Sequence, residues 1–454
     1  MKLLRFGPAG EERPGLLDAS GMIRDFWFTN DLRIHDNPAL IQAASSVEIL
    51  LCVYVIDHSW RSSSKYSKAS TNQKPIQFLR ESLVDLDNNL KVMGQRLMIL
   101  ESVTLPIFAT LINQLGVTDV FRSDNAGWYE NLYWDELKNA YGSTNFHSVD
   151  SHTLFDLSML PFTLAELPAS FTKFKNAVSE VEPSKPIAPL SYLPVPPSID
   201  YPDIKWLEGD SGSNPFRGGE TRGLEHLNRY FASEKPMFYK EVRNAIDGWD
   251  NSTKFSPWLA NGSLSVREVM SVLSDYEKNI TANESTYWIY FELLWREYFQ
   301  WYAHKNGSKL YSFGGIKKVS PLTSYYAERF QKWINGSTPY PLVNACMNEL
   351  RKTGYLSNRG RQIVASCFIN ELAMDWRYGA AYFELALIDY DVASNWGNWQ
   401  YLAGVGADTR DKRHFNLEKQ TQQFDPDGRY IRLWNGDIDL QPLDSVDAAD
   451  WPTG

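Results

Sequence analysis

The sequence predicts an α/β protein: an N-terminal domain built on a Rossmann-like parallel sheet, followed by a C-terminal domain that is helical throughout. Three observations carry that expectation. At 454 residues the chain exceeds what one hydrophobic core ordinarily fills, so two domains are expected. From Arg24 onward short apolar runs alternate with amphipathic ones, which is the pattern of βαβ units. Beyond Gly218-Gly219-Glu220-Thr221 apolar positions recur with a period near 3.6 and strand signals nearly vanish.

Residues 1–23 form a divergent opening segment. Met1 to Pro8 reads as a short strand and turn, and Gly15 to Asp18 with Gly21 to Ile23 as a second hairpin-like unit. This opening resembles the start of fumarylacetoacetate-hydrolase-type proteins, but nothing downstream follows that family. In the α/β domain, residues 24–150, strands are expected at 25–28, 48–56, 97–100 and 119–122, with helices at 76–93, 107–115 and 128–141. Ligands of such sheets sit at the carboxyl ends of the strands, where Thr29 to Arg33 and Asp57-His58 stand. No G-x-G-x-x-G follows the first strand, so the ordinary dinucleotide fingerprint is absent. Residues 151–216, Pro-rich from 180 onward, read as an inter-domain linker over the surface. In the helical domain, residues 217–454, helices are expected at 220–231, 266–276, 287–304, 341–353, 361–376 and 382–389. The 287–304 helix carries aromatic residues on every side and should be buried all round. On it Trp288, Glu292, Trp295 and Phe299 share one face, and Glu292 has the i,i+4 spacing of an ion pair with Arg296.

Composition narrows the function classes. Sixteen Trp and twenty-four Tyr fit either a ring-rich helical core or an aromatic, redox-active site. No window approaches eighteen uncharged apolar residues, and the first thirty lack a signal-peptide pattern, so a cytoplasmic protein without a membrane span is expected. Cys52, Cys346 and Cys367 are widely spaced and fit free thiols in a reducing compartment. The seven His residues show no H-E-x-x-H spacing, and no metal is expected. A net charge of −10 excludes broad non-specific nucleic-acid binding while leaving room for a local basic site.

Three constellations can carry chemistry. Ser252-Thr253-Lys254-Phe255-Ser256-Pro257 can cradle a phosphate with hydroxyls, an ammonium and backbone N–H groups, or be a turn and helix cap. Arg351 to Arg361 holds four cations and no acid, fit for phosphate contacts or a solvated loop. Asp389-Tyr390-Asp391-Val392-Ala393-Ser394-Asn395-Trp396-Gly397-Asn398-Trp399 reads as a dense turn with Gly397 as its pivot. It offers too few oxygens for a hard cation but suits a heteroaromatic ring with N–H donors. Trp376 and Trp399 read, on their own, as core residues.

Together these pieces resemble the DNA photolyase and cryptochrome family, from about Arg24 to Trp434, and within it the cryptochrome DASH branch. The resemblance rests on WFTNDLRIHDNPAL at Trp27, SHTLFDLSMLPF at Ser151, RGGETRGLEHLNRY at Arg217, TKFSPWLANGSLS at Thr253, FELLWREYF at Phe291, GYLSNRGRQIVAS at Gly354 and IDYDVASNWGNWQYLAGVG at Ile388. It implies an antenna domain followed by a helical domain that binds FAD. Tyr239 and Ser252, Thr253, Lys254, Phe255 and Ser256 would hold the FAD phosphates, with Arg361 nearby. Asp389 and Asp391 would face the ribityl and isoalloxazine portions, and Asn395 the flavin N5. Glu292, Trp295, Asn358 and Arg359 would line the cavity that receives a flipped lesion.

The implied reaction is blue-light repair of cyclobutane pyrimidine dimers: excited reduced flavin lends an electron, the ring bonds split and the electron returns. The lesion must leave the base stack, at a cost of about a few kcal/mol, less where pairing is already lost. Tyr401 stands where double-strand repair enzymes carry Trp, and Gln362 where they carry Met, so the expected substrate is single-stranded or looped DNA, with RNA a further partner class. The branch that repairs the other ultraviolet photoproduct carries a His pair near this cavity; here the chain reads Leu356-Ser357-Asn358-Arg359. Trp399 and Trp376 match the proximal and middle members of the family's electron relay, but Thr323 stands where its surface Trp should be, with Tyr325 or Tyr326 as substitutes. The resemblance further implies methenyltetrahydrofolate between the domains, with Glu130 at its pterin, and a monomer. The rival class is a blue-light photoreceptor with a nucleic-acid-binding regulatory role, for which a long C-terminal extension would be expected; the chain ends about twenty residues past Trp434. A dark flavin-dependent redox enzyme is a third class, for which no substrate motif stands in the sequence.

Overall fold

The computed structural model describes residues 3–6, 13–16, 23–45, 47–57, 66, 72–102, 104–202, 214–407 and 413–444. Strand β1 (Leu3–Phe6) pairs antiparallel with β2 (Arg13–Leu16). The α/β domain is a parallel five-stranded sheet of β3 (Ile23–Phe28), β4 (Ile49–Asp57), β5 (Leu97–Ser102), β6 (Val117–Ser123) and β7 (Asn145–Val149), in the order β5-β4-β3-β6-β7. Alternation decides the faces. Phe26, Phe28, Leu50 and Cys52 pack on one side against α1 (Pro38–Ala44) and α2 (Gln73–Val92). Trp27, Leu51 and Val53 pack on the other against α3 (Thr104–Leu115) and α4 (Trp128–Ala140). Asp25 breaks this pattern: it is fully buried on β3 with both carboxyl oxygens unpartnered. Burial pushes its carboxyl well above the usual range.

Strand order reverses between β3 and β6, where a doubly wound sheet opens a ligand crevice. Here the protein fills it. Asp31 accepts a bond from the Ser123 hydroxyl, and the Ser151 hydroxyl lies 2.5 Å from that of Ser123. Buried Arg33 donates to the carbonyls of Asp36, Ser151 and Gly262 at 2.9, 2.6 and 2.9 Å. Gly262 has φ +72°, and a Cβ there would lie 1.9 Å from the Asn30 carbonyl oxygen. Thr29 to Arg33 is therefore a docking loop for the helical domain. His58 lies outside the described residues.

Between the domains run α5 (Phe171–Ala177) and irregular chain; beyond them come α6 (Glu220–Phe231), α7 (Tyr239–Val242), α8 (Ser256–Ala260) and α9 (Val266–Asn279). Glu220, in the first turn of α6, accepts from the N–H groups of Ile34 and His35, both at 2.9 Å, and so fastens the domains. Helix α10 (Glu284–Asn306) begins with a capping box of Asn283 and Thr286 and runs through the helical core. Its buried Glu297 accepts from Leu154 N, Phe155 N and Trp301 Nε1 at 2.7, 3.2 and 2.7 Å. Burial still pushes that carboxyl up to about 7, with Asp150 adding to the rise and these bonds opposing it.

The remaining helices are α11 (Ala327–Asn335), α12 (Pro341–Thr353), α13 (Asn358–Asn370), α14 (Trp376–Ala386), α15 (Val392–Leu402), α16 (Leu417–Phe424) and α17 (Arg429–Leu433). Two expectations are corrected. The helix anticipated at 361–376 ends at Asn370, because Ala373 takes φ +50° and Asp375 caps a new helix by accepting from Arg377 N at 3.0 Å. Gly397 lies inside α15 rather than at a turn, and its missing side chain makes room for a ring: a Cβ would lie 2.3 Å from Phe299 Cδ1.

Candidate functional site

Helices α13, α14 and α15 converge on a cavity of about 780 Å³ of empty space, part of it open to solvent. Each helix start is held by a local cap. Ser357 accepts from Gly360 N at 3.2 Å, and Asp391 from Ser394 N at 2.7 Å. The second Asp391 oxygen accepts from Gln300 Nε2 at 2.8 Å. Asp389, buried at the rim, takes both its oxygens to Arg361 Nη2 at 2.9 and 2.7 Å, and one also to the Ser256 hydroxyl at 2.7 Å. Such a charge-assisted cluster fixes the carboxylate in place. Asn395 borders the cavity and donates one amide N–H to Ala380 O at 3.0 Å. Trp399 forms part of the wall, and Gly379 is required beneath it, since a Cβ there would lie 2.2 Å from the indole.

Of the run 252–256 only Ser256 borders the cavity. The Phe255 ring is buried among His226, Tyr230 and Phe231, so what it offers a ligand is its backbone. Ser252 and Thr253 are partly buried, and the Thr253 carbonyl accepts from His226 Nε2 at 2.8 Å. Lys254 takes φ +56° and places its ammonium 4.7 Å from the Tyr355 ring, with the Arg361 guanidinium 5.5 Å from the same ring. Tyr239 is buried beside this group; burial, then Glu292, pushes its phenol well above the ordinary value.

The residues expected to meet a lesion fall into two groups. Asn358 and Gln362 border the cavity on α13. Glu292, Trp295, Arg359 and Tyr401 lie around it without bordering that space. The expected Glu292–Arg296 pair does not form. Arg296 donates to His152 O at 2.7 Å, and Glu292 instead holds Arg243, whose guanidinium lies 4.0 Å over the Trp288 ring. Burial raises the Glu292 carboxyl and Arg243 opposes the rise. Trp295 is stacked on Phe171 at 3.7 Å and 10°, with Tyr401 edge-on at 5.8 Å. Arg413 covers Tyr401 at 4.2 Å, and Arg359 bonds Asn244 at 3.1 Å. Arg243 and Phe171 escaped the sequence reading, and Tyr355 entered it only within the basic run 351–361. Arg243 alone had a signal, standing i+4 from Tyr239 on one helix face.

Trp376 and Trp399 are not in ring contact. Trp376 donates to Phe313 O at 3.0 Å and meets Trp396 at 5.8 Å, whereas Trp399 meets Phe383, Phe368 and Trp333. Thr323 is partly buried with its hydroxyl unpartnered. Nearby Tyr325, 41% exposed, stacks on Tyr378 at 4.2 Å; Tyr326 lies under Arg329 at 4.4 Å.

Tyr129 of α4 packs on Tyr311 at 5.2 Å where the two domains meet, a junction termed here the domain cleft. Glu130 folds back over Gly127 at the start of α4, as a helix-capping acid does, and its charge acts on Glu384 of α14. Desolvation raises both carboxyls although both are open to water, Glu384 to about 7, with Glu130 adding to the rise. Among the described residues no His, Cys, Asp and Glu cluster could hold a metal, and no helix is long and apolar enough to cross a membrane.

The comparisons with known proteins follow this architecture. Residues 26–194 match the DNA photolyase family, and residues 288–448 the FAD binding domain of DNA photolyase. Cryptochrome DASH of Idiomarina loihiensis is 50% identical over 94% of this chain and 96% of its own length. That of Arabidopsis thaliana, chloroplastic/mitochondrial, is 39% identical over 90% of this chain and 74% of its own. The crystal structure of a Synechocystis cryptochrome is 36% identical with a TM-score of 0.85, covering 94% of this chain and 92% of that one. An archaeal photolyase from Sulfolobus tokodaii, described with two FAD molecules, is 26% identical with a TM-score of 0.71, over 91% and 90% of the two chains. The chain belongs to the DNA photolyase and cryptochrome family. Within that family it falls in the cryptochrome DASH branch, the name its relatives at 37 to 50% identity carry.

Proposed function

We propose that this chain is a deoxyribodipyrimidine photo-lyase, a carbon–carbon lyase that uses FAD and blue light to split cyclobutane pyrimidine dimers, preferentially in single-stranded or looped DNA. The observation that carries this reading is Asn395, whose side chain borders the cavity with one amide N–H tied to Ala380. The donor set around it fits a flavin. The carbonyl of that amide can accept from a ring N–H, which a reduced flavin carries. Asp389 and Asp391 border the cavity already fixed by Arg361, Ser256 and Gln300, so they bind without further ordering cost. Lys254 and Arg361, both beside the Tyr355 ring, supply cations for the phosphates.

When bound, FAD supplies the light-driven electron. The protein's part is to seat and orient cofactor and lesion. Asn358 and Gln362 offer hydrogen bonds to a flipped base, and Glu292, held by Arg243, offers its free carboxylate capacity to a base edge. Arg359, Arg243 and Arg413 give a local cationic face to the phosphates in an otherwise acidic chain.

The preference for single strands follows from stacking. Phe171 covers one face of Trp295 and Arg413 lies over Tyr401, so little aromatic surface remains to offset unpairing, where each stacked base is worth about 1–3 kcal/mol. RNA single strands share this chemistry. Methenyltetrahydrofolate is the proposed antenna, with Glu130 accepting from its pterin at the cleft. A cytoplasmic monomer completes the reading.

Reduced, FAD-loaded protein under blue light should repair dimers in single-stranded DNA faster than in duplex; equal rates would overturn the strand preference, and no repair of either would overturn the lyase. Extraction of the bound chromophores and their absorption spectrum tests the antenna. Trp399→Phe should suppress photoreduction and spare repair by pre-reduced protein; unchanged photoreduction would remove Trp399 from the relay.

A further inference from the structure

One chain of rings leaves the cavity in a direction the relay does not use. Tyr390 borders the cavity, and its hydroxyl lies 3.3 Å from the indole nitrogen of Trp396. Trp396 meets Tyr311 edge-on at 4.7 Å, and Tyr311 meets Tyr129 at 5.2 Å. Tyr129 is 56% exposed at the domain cleft, whereas Trp396 is 3% exposed. The path therefore runs from a buried cavity wall to solvent through rings in contact distance of one another. Trp376 also touches it, at Trp396.

We propose that Tyr390, Trp396, Tyr311 and Tyr129 form a second one-electron route, from the cavity to the domain cleft, with the Glu384 and Glu130 carboxylates taking up the phenolic proton. It rests on the reading that a light-activated flavin occupies the cavity, because that group is the one-electron oxidant. Oxidation of a phenol is favourable at modest potential only if the O–H proton leaves with the electron, so a tyrosine relay needs a base beside it. The cleft provides two. The charges of Glu384 and Glu130 act on both Tyr390 and Tyr311.

The balance is simple. One electron passes from Tyr311 through Trp396 toward the cavity, the Tyr311 O–H bond breaks, and its proton goes to a cleft carboxylate. The neutral tyrosyl exchanges with Tyr129 at the surface, where a thiol reductant returns one electron and the carboxylate returns the proton. Net, one electron moves from the thiol to the cavity.

The test uses FAD-loaded full chain, illuminated with blue light, frozen and read by electron paramagnetic resonance, with a nitroso spin trap and peptide mapping in parallel. A neutral tyrosyl signal is expected in the wild type, with trap adducts on Tyr129 or Tyr311. It should persist in Trp399→Phe and be lost in Trp396→Phe and in Tyr311→Phe, substitutions that keep a ring in place. No tyrosyl signal in flavin-loaded wild type, an unchanged signal in Trp396→Phe, or its loss in Trp399→Phe would each overturn the route. Protein that binds no flavin would overturn the reading beneath it, and is told apart by the absorption spectrum.

Discussion

The cavity and the domain cleft hold the same side-chain chemistry in opposite electrostatic states. In the cavity Asp389 is met by Arg361 and Ser256, and Asp391 by Gln300 and a helix N-terminus. In the cleft the Glu130 charge acts on Glu384, both carboxyls raised by desolvation, with Arg122 as the cation acting on Glu130. A compensated site is rigid before its ligand arrives. A site with two mutually repelling carboxylates favours a ligand or a reaction that delivers protons. Asp25 is a third state, a buried carboxyl with no partner at all.

The comparison can be broken most severely at its strongest pair. Asp389→Ala leaves the Arg361 charge uncompensated, and loss of one member of such a pair costs about 3–5 kcal/mol. Denaturant unfolding should show that loss together with reduced flavin retention; stability within error of the wild type would mean the pair is not coupled to the fold. Asp25→Val should act in the opposite direction, gaining about 1–3 kcal/mol by removing an unsatisfied buried group. The sign with pH follows from linkage. A folded-state pKa above the unfolded value means the folded chain binds more protons, so the wild type loses stability as pH rises above the unfolded carboxylate value. The advantage of Asp25→Val should therefore grow from pH 4 upward; a flat difference would show that Asp25 is solvated.

Gly379→Ala drives a methyl into the Trp399 indole and should cost about 1–3 kcal/mol by overpacking, with a shift in Trp fluorescence as the readout. The smallest effect belongs to the cleft. With Glu384 raised to about 7, its contribution declines as pH rises from the unfolded carboxylate value through about 7. Glu384→Gln should flatten that slope and add less than about 1 kcal/mol at pH 8, because the group is open to solvent and screened. Thermal melts across pH 5–8 read it; an unchanged slope would show that the two carboxylates do not interact.

Much of the architecture was legible because it is written in local periodicity. The alternation in β3 to β6 and the all-round aromatic character of α10 are properties of neighbouring residues. Strand β7 was not legible, since Asn145–Val149 is a half-exposed edge without apolar alternation. Helix α15 was obscured by Gly397 and Asp391, read as turn residues, whereas one accommodates Phe299 and the other is an N-cap.

By itself, the sequence determined the fold class and the order of the motif blocks, because these depend on local periodicity and on order along the chain, while the residues expected on α13 and α15 came from the family resemblance. Only the tertiary structure decided that Glu292 pairs with Arg243, forty-nine positions away, rather than with Arg296. It also decided that Phe171 occupies a face of Trp295, and that Glu130 and Glu384 share a cleft. The physical reason is that a periodic pattern states which face of a helix is buried, while the partner on that face depends on how helices cross, and crossing is set by packing of the whole domain.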